Sequence, residues 1–598
     1  MRMIAFIFAL LFSASIHAQF VITQQGPQPT PPPSNTPPEK RCVIEGRVTS
    51  VQTGEALKKA TVHLTLSRSP SMWPDAMEFG NGASRSQGYS ATSAGDGTFR
   101  IDGIEPGDYE LSGERNGYLR TEYGAKGPMQ SGLVLTLRPG QQVTNVILKL
   151  NPQAVISGKV LDEDGDPVPR TWVQVFKRSW QRGKREVLPH GGANVNDLGE
   201  FRLANLSPGK YFLCASMMNF TRSNEEAAPP GKPDVRPIRT CLPNATTLEA
   251  ATPIDIAAGQ DLSGLDIRLR SADTYHVRGK IVGDLREGDG PNLALFLAPR
   301  DEDMLFFGTN QTSMNKDRTF DMPGVVPGSY TLHVFFMSEN FRVAAHELID
   351  VGQGDVNDVV VTIAPGGSLH GQVRLEGMPQ AGVNAVNLAN VSVYLSPAES
   401  IAMFGPTPRA TSKSDGTFVL DDFSAGKYYV RTNAPAGAYV KSVRFGQQEI
   451  LGKELDLSQT ISGDLEIIFR SGTAEVDGTV QLADRAGSSS TGQPASAPAT
   501  LIVLIPDVLN ADGYGISYGS ANQLSSFTIK NVPPGRYRAC ALESAKRDDV
   551  EDPQVLKQLE SRGTEVELKE NDHKQIQLPV ISSDDLQEIL ARLGIESQ

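Results

Sequence analysis

The sequence predicts an all-β chain: a tandem array of five β-sandwich modules with a short C-terminal helix. One stretch of the 598 residues, at 96–111, returns at 198–213, 317–332, 415–430 and 524–539. In every copy a Phe precedes a Tyr by ten residues, and a Gly lies two residues before that Tyr. Self-similarity at a domain-sized period indicates repeated domains. The 57 Gly and 40 Pro, against 7% aromatic residues, are typical of short strands joined by turns.

The repeated stretch has the pattern of a β-hairpin. Around Phe99, apolar and polar residues alternate as they do in a half-buried strand. Pro106 and Gly107 then turn the chain, because proline presets φ and glycine accepts a positive φ. Tyr109 starts the next strand, and we expect it to bury its ring and return its hydroxyl to nearby backbone. The motif therefore predicts core structure and not catalysis.

Every module opens with a strand patterned apolar-x-Gly-x-apolar, and most close with another alternating strand. The glycines of the opening strands are Gly46, Gly158, Gly279, Gly371 and Gly478. Roughly seven short strands in about 100 residues predict two packed sheets. Because the joins between modules are short, a fairly stiff rod of modules is expected.

These repeats also give the predicted domain boundaries. They are a signal peptide at 1–18, a Pro-rich linker at 19–40, modules at 41–151, 152–271, 272–365, 366–471 and 472–580, and a helical tail at 581–598. The tail has an acidic start and apolar residues at helical spacing, namely Leu586, Ile589, Leu590 and Leu593.

The N-terminus predicts export. Arg2 precedes an apolar run at 3–12, and cleavage is expected after Ala18. The run is too short to span a bilayer and no later run is apolar enough, so no membrane span is expected after cleavage. We expect a secreted, periplasmic or cell-surface protein. The net charge of −13 argues against a nucleic-acid partner.

The motifs resemble those of the carboxypeptidase regulatory-like domain family. They are Ile-x-Gly-x-Val at 44–48, Asp-x-x-Gly-x-Pro-Val at 162–168, Asp-x-Gly-x-Phe at 96–99 and Pro-Gly-x-Tyr-x-Leu at 106–111. The resemblance covers about 41–580. It implies Ig-like or prealbumin-like Greek-key β-sandwiches, grouped with carbohydrate-binding-like folds, in a secreted bacterial protein. The family implies binding or scaffolding, with no reaction and no cofactor.

The zinc carboxypeptidases that carry this module hold their metal with a His-x-x-Glu pair and a distant His. None of the eight histidines has Glu at the third following position, and His346-Glu347 lacks the second His of a His-Glu-x-x-His helix. Their catalytic domain is therefore not predicted.

One short motif keeps a hydrolase as a remote alternative. Gly515-Ile516-Ser517-Tyr518-Gly519 matches a nucleophile elbow, which requires a strand, a helix and a downstream Asp and His. A motif hairpin follows instead, and His573 is the one later histidine. A Gly/Tyr-rich loop is the favoured interpretation, and no catalytic residue is predicted.

The weak metal candidate is an acidic loop. Asp162, Asp164 and Asp166 could offer carboxylates to Ca²⁺, which prefers several oxygens from one loop. The loop lacks the Glu that closes an EF-hand and lies where the family has a turn. A turn is therefore favoured over a calcium site.

The cysteines predict one disulfide. Cys214 lies three residues after Tyr211, where strand alternation predicts an outward-facing side chain. Cys241 lies 27 residues further on in the same module. In an oxidising compartment the two are expected to pair, stabilising module two by ~3–4 kcal/mol. Cys42 and Cys540 are either unpaired or require the rod to fold back.

Two tryptophans mark a candidate recognition surface. Trp73 lies in an insertion of module one, and Trp180 lies beside Arg178 and Arg182 in the most basic stretch of the chain. Trp rings stack on sugar faces, and Arg forks onto the carboxylates of acidic glycans. Alternatively, Trp180 packs on its own hairpin and the charges are solvated. Trp172 suits core or inter-strand packing better.

The sequence thus predicts a non-enzymatic, exported, multi-module protein that binds carbohydrate, with a polysaccharide as partner. The alternative is a protein–protein adhesin or a structural spacer of the cell envelope, with a cell-envelope protein as partner. Repetition of modules supplies avidity in either case.

Overall fold

Five two-sheet β-sandwiches follow one another along the chain, which confirms the predicted all-β tandem array. The computed structural model describes residues 36–67, 88–128, 130–181, 184–217, 234–283, 293–300, 310–336, 342–364, 366–377, 388–398, 408–435, 437–458, 463–481, 498–509, 515–545 and 547–593. A short 3-10 turn, Pro38–Lys40, precedes the first sandwich.

Module one consists of β1 to β8. The strands are β1 (Cys42–Ser50), β2 (Thr61–Leu66), β3 (Gly88–Thr92), β4 (Thr98–Ile104), β5 (Gly107–Arg115), β6 (Tyr118–Glu122), β7 (Val134–Leu137) and β8 (Gln142–Leu150). One sheet has the order β4-β1-β8, with β8 parallel to β1. The other has the order β3-β2-β5, with β6 and β7 on the far side of β5.

Module two repeats this plan in β9 to β18. The strands are β9 (Ala154–Leu161), β10 (Thr171–Gln181), β11 (Lys184–Asn194), β12 (Glu200–Leu206), β13 (Gly209–Met217), β14 (Asp234–Pro237), β15 (Thr240–Cys241), β16 (Ile254–Ile256), β17 (Asp261–Leu262) and β18 (Ile267–Arg268). β12 and the short β17 and β18 flank β9, and β11-β10-β13 form the second sheet with β15 and β16.

Module three consists of β19 to β25. The strands are β19 (Ser271–Gly283), β20 (Leu293–Pro299), β21 (Asn310–Ser313), β22 (Thr319–Val325), β23 (Gly328–Phe336), β24 (Arg342–Val351) and β25 (Val356–Ile363). β22 and β25 flank β19, and β21-β20-β23-β24 form the second sheet. β14 of module two also pairs with the first residues of β19, so modules two and three share a sheet.

Module four consists of β26 to β34. The strands are β26 (Gly367–Glu376), β27 (Ser392–Pro397), β28 (Arg409–Thr411), β29 (Thr417–Phe423), β30 (Lys427–Thr432), β31 (Ala438–Phe445), β32 (Gln448–Glu449), β33 (Leu455–Asp456) and β34 (Leu465–Ser471). Its sheets have the orders β29-β26-β34-β31-β32 and β28-β27-β30-β33.

Module five adds two helices to the plan. Its elements are β35 (Ala474–Gln481), β36 (Thr500–Pro506), β37 (Ser517–Ser520), β38 (Ser526–Val532), β39 (Gly535–Glu543), a 3-10 turn (Asp548–Val550), α1 (Pro553–Glu560), β40 (Thr564–Leu568), β41 (His573–Ile581) and α2 (Ser583–Arg592). β38-β35-β41 and β37-β36-β39-β40 join where the end of β41 pairs with β39.

The predicted C-terminal helix is confirmed as α2. Ser582 caps it by accepting the Asp585 N–H, and Leu586, Ile589 and Leu590 are buried. The sequence prediction missed α1, which Asp552 caps. Both helices cover the outer face of the β36–β39 sheet. Neither helix has the length and apolarity that a membrane crossing needs.

Each motif Phe lies opposite the Gly of the opening strand. The register pairs are Gly46 with Phe99, Gly158 with Phe201, Gly279 with Phe320, Gly371 with Phe418 and Gly478 with Phe527. A Cβ added to Gly371 would lie 2.3 Å from the Phe418 ring and 2.8 Å from the Leu465 carbonyl oxygen. Only glycine lets the ring and the parallel closing strand approach this closely.

The predicted return of the motif Tyr hydroxyl is confirmed in all five modules. Each buried Tyr donates to the carbonyl oxygen four residues earlier, at 2.7–2.9 Å. The pairs are Tyr109 with Glu105, Tyr211 with Ser207, Tyr330 with Val326, Tyr428 with Ser424 and Tyr537 with Pro533. The contact fixes the turn against the start of the following strand.

The left-handed residue common to all five hairpins is not the glycine that the sequence analysis assigned, although Gly107 and Gly209 do have positive φ, at 159° and 145°. The residue four after each motif Phe has φ between 58° and 77°, and these residues are Gly103, Asn205, Gly324, Asp422 and Asn531. Gly328, which lies two before its Tyr, has no positive φ. The strand register shifts at the same place, so a β-bulge takes up the extra residue before the turn.

The position three after the motif Tyr faces away from the sandwich core, as predicted, yet it is buried in every module. It is Ser112, Cys214, His333, Arg431 or Cys540, and none is more than 5% exposed. In module five, α1 and α2 cover this outer face over Cys540. Strand alternation predicts which face of the sheet a side chain points to. It does not predict whether another part of the chain covers that face.

The short joins between modules are confirmed, but an extended rod is wrong, because module one contacts module five. Gln523 accepts the Thr136 N–H through Oε1 and donates to the Thr136 carbonyl through Nε2, both at 3.0 Å. The Gln523 N–H also donates to the Val134 carbonyl. The chain therefore folds back so that β7 lies against the turn before β38.

An ion pair completes this contact. Lys126 Nζ of module one lies 2.9 Å from Glu543 Oε1 of module five and donates to Ser583 Oγ. The Glu543 side chain is 5% exposed, so water screens the pair weakly. We call the contacts between Lys126, Val134 and Thr136 on one side and Asn522, Gln523, Glu543 and Ser583 on the other the clasp.

Replacement of Gly279 by alanine is expected to destabilise module three by about 1–3 kcal/mol. The new Cβ would lie 2.2 Å from the Val359 carbonyl oxygen, so β19 and β25 would have to move apart. Gly352→Ala is the matched control, because nothing lies within 4 Å of its Cβ position and its φ is not left-handed. Scanning calorimetry of both variants tests this, and equal melting temperatures would contradict it.

Module three is expected to lose stability as the pH falls from about 6.5 towards 4. Burial, with His346 opposite, lowers the pKa of His333 to about 4, so the unfolded chain takes up the proton first. The melting temperature of His333→Phe should therefore fall less than that of the wild type between pH 7 and 4.5. His370→Phe, at an exposed histidine of module four, should behave like the wild type.

Candidate functional site

The predicted recognition stretch lies on a two-stranded ribbon of module two. Pairing of β10 with β13 ends at Phe176, whereas pairing of β10 with β11 continues to Gln181 opposite Lys184. Residues 177–181 and 184–188 therefore extend past the sheet as two paired strands, which we call the basic ribbon. Arg178 on it is exposed, and its guanidinium lies 5.0 Å from the centre of the buried Phe212 ring.

The strand that leads into the basic ribbon lies near another module. β10 lies against the 3-10 turn Asp548–Val550 of module five. That turn belongs to an acidic run, Asp548, Asp549, Glu551 and Asp552. Neither sequence interpretation of this stretch included a neighbouring module.

The other predicted ligand residues are placed in part. Trp73 and Arg182 lie outside the described residues, and Trp180 belongs to β10 opposite Arg185. The inter-strand packing expected of Trp172 is confirmed, because its ring lies over Gly192, 2.2 Å from where a Cβ would be. The structure therefore brings Arg178 and Trp180 onto one ribbon and says nothing of Trp73.

The predicted disulfide joins Cys214 to Cys241, with 2.00 Å between the sulfurs. The two cysteines lie directly opposite each other on β13 and β15. Together with Phe176, Phe212 and Leu248 they form a small apolar cluster on the outer face of the sheet. The disulfide thus links the short strand β15 to β13, the strand that pairs with β10 up to the start of the basic ribbon.

Cys42 and Cys540 are free thiols, each buried in its own module. Cys42 donates to the Arg138 carbonyl, and Cys540 packs beneath α1. Burial raises the pKa of the Cys540 thiol to about 12, so the thiolate does not form at neutral pH. Of the two alternatives for these cysteines, the unpaired one is found.

The acidic loop of module two is a turn. Asp162 accepts the N–H groups of Asp164 and Asp166 through one carboxylate oxygen. Its carboxylate therefore binds the loop's own backbone. Asp162, Asp164 and Asp166 do not bring three ligand atoms together, in contrast to a group in module five.

Ser517 does not have the setting of a nucleophile elbow. It begins β37, and strand β38 follows where the elbow needs a helix. The side chain is buried, and His573 is exposed at the start of β41, where it pairs with Glu475 of β35. The predicted Gly/Tyr-rich loop is wrong for this stretch, because Ser517, Tyr518 and Gly519 belong to β37 and pair with β36.

Sequence reasoning missed one cluster of potential ligands. One ligand atom each of Glu475, Asp477 and His573 lies within 4.8 Å of the others, the one such trio among the described residues. Glu475 and Asp477 are two residues apart on β35, so their spacing could have marked a shared face. The register that brings His573 beside them is not readable from the sequence.

Comparison with known proteins gives a family for module one. Residues 43–150 match the model of the carboxypeptidase regulatory-like domain. No curated protein matches the chain.

Several solved structures are similar at low identity. The Bacillus anthracis TIE protein is 13% identical, with 54% of this chain and 51% of that chain covered and a TM-score of 0.15. The minor pilin GBS52 of Streptococcus agalactiae is 10% identical, with 39% and 96% covered and a TM-score of 0.19. Two B repeat units of the collagen binding protein of Staphylococcus aureus are 12% identical, with 72% and 99% covered and a TM-score of 0.12.

This chain therefore spans about half the length of the TIE protein chain. At these TM-scores the assignment of the fold rests on the strands and registers described above. The matched range includes the motif residues Gly46, Phe99 and Tyr109, which recur in the other four modules. Residues 43–150 thus match the carboxypeptidase regulatory-like domain, and they form the first of five β-sandwich modules built on one motif.

Proposed function

We propose that the protein is an exported, non-enzymatic binding scaffold that acts at the cell surface or in the envelope. Its residue patterns favour scaffolding, because the repeated Phe, Gly and Tyr serve the sandwich core in every module. The clasp and the shared sheet of modules two and three support a defined arrangement of the modules.

The ligand of the scaffold is an acidic polysaccharide, and its site is the basic ribbon of module two. The observation that carries this is the extension of the ribbon past its sheet, with Arg178 exposed and Trp180 on the same strand. A guanidinium that lies over an aromatic ring keeps its N–H groups free to face a carboxylate.

A protein partner in the cell envelope is the second candidate. The clasp favours a protein partner, because it holds modules one and five together. The two modules then present one broad surface, which separate modules along an extended rod would not. Such a surface suits a folded partner better than a flexible sugar chain.

Arg178→Ala is expected to weaken binding of an acidic polysaccharide by roughly three- to tenfold, since one charge-assisted hydrogen bond is worth about 1 kcal/mol or more. A glycan array and pull-downs with alginate and polygalacturonate measure this on the full chain. Arg202→Ala is the matched control, because Arg202 is an exposed arginine of the same module on β12. A Trp180→Ala, Arg182→Ala variant tests the rest of the ribbon.

Loss of binding in Arg178→Ala but not in Arg202→Ala supports the ribbon as the site. Equal loss in both variants would indicate non-specific charge attraction and contradict the site. Failure of the wild type to bind any glycan would overturn the polysaccharide and favour the protein partner, to be sought by crosslinking on intact cells.

A further inference from the structure

Three potential metal ligands meet on the outer face of module five. Glu475 and Asp477 alternate with the buried Val476 and therefore point away from the sandwich core. β41 runs parallel to β35, and its register places His573 directly beside Glu475. His573 is 74% exposed and Glu475 is 27% exposed, so an ion has open access from solvent.

The distances between these groups suit closure around one ion. One ligand atom of each residue lies within 4.8 Å of the others. Ligands at the usual 2.0–2.2 Å from a tetrahedral ion are about 3.3 Å apart. Small rotations about the χ angles of these side chains can shorten the separations between the ligand atoms from within 4.8 Å to the distance that a bound ion requires.

Asp477 is held in place by a neighbouring strand. Thr528 Oγ1 on β38 donates to Asp477 Oδ1 at 2.6 Å, which leaves Oδ2 for a further partner. A carboxylate fixed in this way loses less rotational freedom when it binds an ion.

The corresponding faces of modules one and three are neutralised by arginine. Counted from the repeated Gly of the opening strand, Asp477 of module five corresponds to Glu45 of module one. Thr528 corresponds to Arg100, and Glu45 and Arg100 form an ion pair. In module three, Arg278 pairs with Asp321 across the same two strands, 3.2 Å from Nε to Oδ2.

Module five differs because Thr528 takes the place of the arginine in its sheet. Lys530 lies nearby, with its Nζ 3.9 Å from Glu475 Oε1 and its side chain 60% exposed. Two carboxylates therefore face one imidazole, with an exposed ammonium beside Glu475. This arrangement concentrates negative charge where modules one and three cancel it.

We propose that Glu475, Asp477 and His573 bind a Zn²⁺ ion on the outer face of module five. One imidazole nitrogen and two carboxylate oxygens form a ligand set that zinc accepts, whereas Ca²⁺ and Mg²⁺ prefer oxygen alone. Three protein ligands leave a fourth position for water or for an anionic group of a bound molecule. This site is separate from the basic ribbon and does not depend on it.

Calorimetric titration of the untagged full chain with Zn²⁺ tests the site. The visible absorption of bound Co²⁺ reports tetrahedral coordination independently of heat. His573→Ala and Asp477→Asn are expected to weaken Zn²⁺ binding at least about tenfold, because residues that merely orient a metal ligand are already worth that much. Lys530→Ala is expected to tighten binding, since it removes a competing positive charge beside Glu475.

His370→Ala is the matched control, because His370 is an exposed histidine on β26, the opening strand of module four. It should leave Zn²⁺ affinity and the Co²⁺ spectrum unchanged. Two results would overturn the site: His573→Ala binding Zn²⁺ as the wild type does, or no Zn²⁺ binding up to ~1 mM, which is a free energy of only about −4 kcal/mol. Calcium binding that equals zinc binding and does not depend on His573 would also overturn it.

Discussion

The contact between a phenylalanine ring and a glycine on the neighbouring strand determines the form of each module. The Gly has no side chain, so the Phe ring and the carbonyl of the closing strand both lie where a Cβ would be. This brings three strands of one sheet together at one point. The hairpin that carries the Phe must then cross to the second sheet, and the Tyr hydroxyl fixes that crossing.

The fold could be predicted because both residues of this contact belong to short motifs that recur along the chain, although the contact itself was not predicted. Phe99 and Gly46 stand at fixed places within motifs that recur five times, and each recurrence is an independent instance of the same packing. The disulfide followed for a similar reason, since Cys214 is placed by the motif Tyr and Cys241 is close to it in sequence. α2 could also be predicted, because its serine cap and its apolar residues lie within one short stretch of sequence.

The features that could not be predicted depend on register or on contacts between modules. The left-handed residue at Asn205 belongs to a bulge, and only the register of β12 against β9 shows that bulge. His573 meets Glu475 because of the pairing of two strands nearly 100 residues apart, which alternation within either strand does not specify. The approach of β10 to an acidic turn could not be predicted either, because that turn lies in another module.

The clasp changes how the chain would carry tension. The peptide path between modules one and five runs through three complete sandwiches, whereas the clasp joins the same two modules through a few side chains. A force that pulls those modules apart therefore loads the clasp first, while the covalent path stays slack. Once the clasp and the contact of β10 with module five open, modules two to four can extend while their sheets stay folded, so the closed chain stores length that mechanical load can draw out.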